Sequence, residues 1–163
     1  MKNVVFYGTG SLAREIYDLN STSNNPNISF VGYINDSGND LSFEALTGIN
    51  RLFLDNHVKG LEYLICIADP LIRQDILNKI YQVGGCLFTY IHPTALISNS
   101  SVISEGCIIY PYVVVSANAR VGRAVILNTY SGIGHDVEIN ECCTISAHVD
   151  LAGYVKIDRC CFF

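Results

Sequence analysis

In blocks of six from Ile91 to Phe163 the chain reads IHPTAL ISNSSV ISEGCI IYPYVV VSANAR VGRAVI LNTYSG IGHDVE INECCT ISAHVD LAGYVK IDRCCF F. The first place of every complete block is aliphatic: Ile91, Ile97, Ile103, Ile109, Val115, Val121, Leu127, Ile133, Ile139, Ile145, Leu151 and Ile157. The fifth place is small or valine throughout, from Ala95 and Ser101 to Val155 and Cys161. A period of six fits neither an amphipathic helix nor a simple alternating strand. It is the mark of a parallel β-helix, whose coils stack about 4.8 Å apart. The aliphatic side chains point inward, and the small residue sits where the chain bends near a crowded axis.

Residues 1–90 read differently, as α/β. Val4-Val5-Phe6 is a short apolar run ahead of Gly8-Thr9-Gly10, and Leu12, Ile16 and Leu19 then recur at helical spacing with Ser11 as a cap. Ile28 to Ile34 predicts a second strand, and Tyr63 to Ala68 a third. A helix should follow, capped by Asp69, with Pro70 in its first turn, Ile72, Ile76 and Ile80 on one face, and Gly84-Gly85 at its end. Strand–helix alternation predicts a Rossmann-like layer of parallel strands over 1–90, followed by an all-β helix of about four coils over 91–163. Residues 38–62 stay unassigned.

Composition removes several function classes. The chain has 163 residues, half of them apolar and 15% charged, with a mean hydropathy of +0.30 and a formal net charge of −5. Neither half is basic, which argues against nucleic acid as a partner. No apolar run approaches the about 20 residues of a membrane helix, and Met1-Lys2-Asn3 opens no signal sequence, so a cytoplasmic location is expected. Seven cysteines without a C-x-x-C pair argue for reduced, packed thiols and no metal site. Cys142 would stack over Cys160, and Cys143 over Cys161, eighteen residues apart.

The hexads, the loop Tyr7-Gly8-Thr9-Gly10, the link Tyr90-Ile91-His92-Pro93-Thr94-Ala95 and the Gly134-His135-Asp136 segment resemble one group of proteins. These are the left-handed β-helix, hexapeptide-repeat sugar acyltransferases of the sialic acid O-acetyltransferase and bacterial UDP-amino-sugar N-acetyltransferase type. The resemblance implies eighteen-residue triangular coils, an amino-terminal domain that holds a sugar or nucleotide-sugar acceptor, acetyl-CoA as co-substrate, and a homotrimer with the cofactor groove between subunits. It implies His135 as general base and Asp136 as its orienting partner. That chemistry is sound on its own terms: imidazole titrates near neutral pH, and a carboxylate fixes its tautomer and steadies the imidazolium. A thioester is already activated, so direct attack on it needs only a base and a backbone N–H for the oxyanion.

Gly153 lies eighteen residues beyond His135, and the resemblance places it against the cofactor; a corner glycine is the alternative. Many relatives carry a second histidine nine residues after the first, where this chain has Thr144; His148 is left as a contact to cofactor or acceptor, or an interface residue. His92 reads as structural, and His57 has no assigned role. Gly8-Thr9-Gly10-Ser11-Leu12-Ala13 fits G-x-G-x-x-A, which brings backbone N–H groups to phosphate. A nucleotide-sugar acceptor, a dinucleotide and a purely structural turn all remain open for it, with Asp36 as the residue that would grip ribose or base. Arg73 would meet a phosphate or acceptor, or be solvated.

The chain stops one residue into a thirteenth hexad, without a polar cap. Relatives continue for several coils, so a truncated form with an incomplete acetyl-CoA groove is expected. The alternative function is then a catalytically silent nucleotide-sugar-binding protein.

Overall fold

Val4, Val5 and Phe6 are fully buried in the middle of β1 (Lys2–Tyr7), the strand around which the first sheet forms. β2 (Ile28–Ile34) and β3 (Leu61–Ile65) lie parallel on its two sides, and β4 (Cys86–Leu87) extends the sheet in the order β2-β1-β3-β4. This computed structural model describes residues 1–23, 27–36, 43, 47–56 and 59–163. His57 and the segment after Asp36 up to residue 42 lie outside the described residues. The chain divides into two units, 1–67 with 75–88 and 68–74 with 89–163.

The expected Rossmann-like domain is corrected by this arrangement. That fold winds two strand–helix halves around one sheet. The described residues of the first unit form a single four-stranded sheet, and across the whole chain two α-helices are described end to end, α1 (Ser11–Ser23) and α2 (Pro70–Gln82). The fold is carried by the left-handed parallel β-helix.

Local chemistry explains both helices. In α1 the first carbonyl to accept is that of Gly10, from Arg14 N–H at 3.3 Å, so Gly10 takes the cap position and Ser11 is already helical. Asp69 caps α2 as expected: its Oδ1 accepts from the N–H groups of Leu71 and Ile72 at 2.9 and 3.0 Å. Ile76 and Ile80 are buried while Ile72 is exposed.

In that second unit each hexad contributes one two-residue strand. The first, fourth, seventh and tenth are β5 (Tyr90–Ile91), β8 (Ile108–Ile109), β11 (Ile126–Leu127) and β14 (Thr144–Ile145). The second face holds β6 (Leu96–Ile97), β9 (Val114–Val115), β12 (Gly132–Ile133) and β15 (Asp150–Leu151). The third holds β7 (Val102–Ile103), β10 (Arg120–Val121), β13 (Glu138–Ile139) and β16 (Lys156–Ile157). Each set is a parallel sheet in register at eighteen residues, such as Ile126 opposite Ile108 and Thr144. The inward aliphatic residues from Ile109 to Ile145 are all buried. Two inward thiols serve as donors, Cys107 Sγ to Gly122 O at 3.0 Å and Cys143 Sγ to Asp158 O at 2.9 Å, and all seven cysteines are free.

The corners are the costly part of the coil. Tyr112, Asn118, Ala124, Tyr130, Asp136, Cys142, His148, Tyr154 and Cys160 all adopt left-handed backbone, with φ between 52° and 64°. An L-residue there costs roughly 1–2 kcal/mol. The offset is visible in the ladder: Ala124, Tyr130, Asp136, Cys142, His148, Tyr154 and Cys160 each donate their N–H to a carbonyl nineteen residues earlier, at 2.8–3.3 Å. The turn thus spends its backbone donor on the coil below.

Arg73 corrects a second expectation. It is 1% exposed and its guanidinium is turned into the second unit. Nε donates to Ala124 O, Nη1 to Ala68 O, and Nη2 to Cys142 O and Thr144 Oγ1, at 2.8–2.9 Å. A group so enclosed has no face for a phosphate or acceptor. Thr144 completes the arrangement by donating its hydroxyl to Ala68 O at 2.8 Å.

Candidate functional site

His135 and Asp136 occupy the turn between β12 and β13. Both adjoining peptides are held by neighbouring coils: Asp136 N–H donates to Ala117 O at 2.9 Å, and Tyr154 N–H donates to His135 O at 3.0 Å. The left-handed backbone of Asp136, φ 56°, is one that Asp tolerates better than most residues. With the backbone fixed, His135 Nδ1 and Asp136 Oδ2 meet at 2.9 Å. The other carboxylate oxygen, Oδ1, accepts from Asn118 Nδ2 at 3.2 Å.

Charge settles the tautomer. The His135 hydrogen bond, opposed by desolvation and helped by the Asn118 amide, holds the Asp136 carboxyl below its ordinary range. Asp136 is therefore a carboxylate, an acceptor only, and Nδ1 must carry the hydrogen. In the neutral ring Nε2 is left with a lone pair. The His135 side chain that carries it is 57% exposed.

Gly153 is the reason the ring can lie where it does. A Cβ built there would sit 2.6 Å from both Cε1 and Nε2 of His135. The space left by the missing side chain is filled by the imidazole itself, a use the sequence reading did not consider. Gly134 is as tightly placed, its hypothetical Cβ 2.6 Å from Leu151 O and 2.7 Å from Gly153 N. Tyr154 closes one side of the ring, edge to face at 5.0 Å and 89°. Gly153→Ala should displace the ring, because the side chain yields before the backbone does. Any turnover that uses this ring as a base is expected to fall about 100-fold, the cost of a misplacement near 1 Å, with Tm little changed; a parental rate in the folded variant would refute this.

Asn118 and Tyr154 were not singled out from sequence, and Gly134 was named there only as part of the Gly134-His135-Asp136 segment. Asn118 and Tyr154 lie eighteen residues either side of Asp136, so coil spacing alone would have found them.

His148 sits on a different corner. It is exposed and stacks on Tyr130 at 5.1 Å and 6°, and Tyr130 stacks on Tyr112 at 5.0 Å and 14°. His92 is buried; its Nδ1 accepts from Thr94 N–H at 3.2 Å and meets Thr94 Oγ1 at 2.9 Å, and burial lowers its pKa.

The first unit carries its own cavity, about 280 Å³, lined among others by Tyr7, Asn35, Asp36, Arg51, Phe53 and Lys79. Tyr7 Oη donates to Asp36 Oδ2 at 2.8 Å, and Lys79 Nζ stands 3.9 Å from the same oxygen. Burial, and then the Asp36 hydrogen bond, raises the Tyr7 pKa. Gly8 has a left-handed φ of 99°, with a hypothetical Cβ 3.0 Å from Cys66 O, so glycine is required there. Thr9 accepts from Asn35 Nδ2 at 2.9 Å, while Gly10 faces open space and Ser11 is exposed. Asp36 thus lines the cavity, but Gly8, Thr9, Gly10 and Ser11 do not. Among the described residues no cluster of His, Cys, Asp and Glu could hold a metal, and no helix is long and apolar enough to cross a membrane.

No family model matches the chain, and neither does any curated protein. Solved structures do. A histidine-to-asparagine mutant of perosamine N-acetyltransferase from Caulobacter crescentus, in complex with CoA and GDP-perosamine, superposes with a TM-score of 0.84 at 22% identity, over 99% of this chain and 77% of that one. The acetyltransferase domain of PglB from Neisseria gonorrhoeae gives 0.83 at 20% identity, over 96% and 76%. WeeI from Acinetobacter baumannii gives 0.80 at 21%, over 96% and 74%. The resemblance read from the hexads holds at the level of fold: this chain has the left-handed β-helix of the hexapeptide-repeat sugar acetyltransferases.

Proposed function

We propose that the protein is an acetyl-CoA-dependent sugar acetyltransferase of bacterial surface-glycan or sialic acid metabolism, with His135 as general base. The observation that carries this is the exposed His135–Asp136 pair at 2.9 Å, beside the bare backbone of Gly134 and Gly153. The fold shared with acetyltransferases crystallised with CoA, one of them as a histidine mutant, supports it.

Acetyl-CoA supplies an activated acyl group. His135 Nε2 takes the proton from the acceptor amine or hydroxyl as the new N–C or O–C bond forms and the C–S bond breaks, and then releases it to sulfur or solvent. Asp136 stabilises the imidazolium while the proton resides on the ring. Gly153 leaves the imidazole the room it occupies, and Gly134 lets the neighbouring coil pack against the turn that carries it. The exposed Leu96, Tyr112, Val114, Tyr130 and Tyr154, on or beside the face built on β9 and β12, support a homotrimer in which this surface meets a second copy.

The cavity with Tyr7, Asp36, Arg51 and Lys79 favours a second reading, a nucleotide-sugar-binding protein without turnover, because it stands independently of the dyad. Incubation with acetyl-CoA and a panel of UDP- and GDP-linked amino sugars and sialic acids separates the two. CoA thiol release that depends on one acceptor class is the expected result. Acceptor binding without thiol release supports the second reading, and neither result leaves either standing.

A further inference from the structure

The corner that carries Asp136 is a polar ladder. Ser100 Oγ accepts from Asn118 N–H at 3.1 Å, Asn118 Nδ2 donates to Asp136 Oδ1 at 3.2 Å, and Asp136 Oδ2 meets His135 Nδ1 at 2.9 Å. We propose that Asn118, one coil below, is a positioning residue that fixes the Asp136 carboxylate plane and, through it, the tautomer and aim of His135. The inference rests on His135 being the base.

The physical argument concerns a group with little else to hold it. Asp136 is one-third exposed, and a carboxylate anchored through one oxygen can rotate about its last torsion. Rotation swings Oδ2 out of the imidazole plane and frees the ring to take the other tautomer. A donor on Oδ1 removes that freedom. Asn118 can supply it because its own left-handed backbone, φ 58°, stacks directly under that of Asp136 and because its N–H is tied to Ser100. The charged groups around the carboxylate are His135 on its own turn, Arg120 from the coil below, and Glu138 on the next strand. Glu138 is itself paired with Lys156 from the coil above at 3.0 Å. Neither Arg120 nor Glu138 hydrogen-bonds Asp136 among the contacts described, so the amide is the orienting partner.

Two variants test it. Asn118→Ala removes the donor. Asn118→Asp keeps the shape and the tolerance for left-handed backbone, so it folds, but it sets a carboxylate against a carboxylate. In the parent, ring ¹⁵N shifts should report His135 with its hydrogen on Nδ1. In both variants the Nε2–H tautomer should appear, and the Asp136 carboxyl midpoint, followed by ¹³C shifts, should rise, further in Asn118→Asp. Where turnover is measurable, kcat should fall about tenfold with KM unchanged. Parental ¹⁵N shifts and a parental carboxyl midpoint in both folded variants would overturn the inference. The spectra need no turnover, so they separate this from the base itself: His135→Ala turning over at the parental rate defeats the base, whereas its inactivity beside parental Asn118 variants defeats only the positioning role.

Discussion

His135→Ala lowers kcat/KM for acetyl transfer by about 10²–10⁴-fold, the usual contribution of a positioned general base, and leaves the binding of acceptor and acetyl-CoA within a few-fold of the parent. The split follows from geometry. Nε2 is the one ring atom of the dyad free to take a proton, since Nδ1 is engaged by Asp136. Removing the ring deletes an interaction that strengthens as the proton moves, and such losses fall on kcat more than on KM. The variant should fold normally, because the side chain is more than half exposed and the backbone ladder through Asp136 N–H and His135 O is untouched. Steady-state rates with calorimetric binding constants check both halves. Loss of binding in step with activity would mean the ring holds substrate rather than moving a proton.

Arg73→Met destabilises the protein by about 3 kcal/mol, or about 6–12 °C in Tm, by stranding buried acceptors. Arg73 is held by the carbonyls of Ala68, Ala124 and Cys142 and by Thr144 Oγ1. Burial lowers the pKa of the guanidinium, so the desolvation penalty works against the native residue. Methionine removes that penalty but leaves the Ala124 and Cys142 carbonyls buried without their donor, and each orphan costs about 1–3 kcal/mol. The orphan term is the larger. Thermal unfolding measures the result. A variant as stable as the parent would show that water or neighbouring groups satisfy these carbonyls readily.

The β-helix was legible because its interior is narrow. Only an aliphatic residue such as Val121 or Ile133 fits the inward place, and only a small one fits near the axis, so every coil repeats the constraint. The corners were not legible. Tyr112, Tyr130 and Tyr154 are poor candidates for left-handed backbone, and the hydrogen bonds that hold them there are distant: Tyr130 and Tyr154 donate to carbonyls nineteen residues earlier, Tyr112 to Thr94 Oγ1 eighteen earlier. Arg73, in the first turn of a helix, looked available to an anion because its partners lie as far as 71 residues away in sequence. The first unit was read as Rossmann-like from strand–helix alternation, a local signal that does not report how many strand–helix halves a sheet contains. At the candidate site the dyad could be named from adjacency. The spacing that picked out Gly153 could not say that the group filling its missing side chain is His135 itself.

The central claim is most directly tested by a crystal structure of the protein with CoA and an amino-sugar nucleotide. The account predicts the acceptor amine or hydroxyl about 3 Å from His135 Nε2, with Nδ1 still on Asp136. An acceptor whose nucleophile lies beyond reach of that nitrogen, while the sugar nucleotide and CoA are both bound, would contradict it.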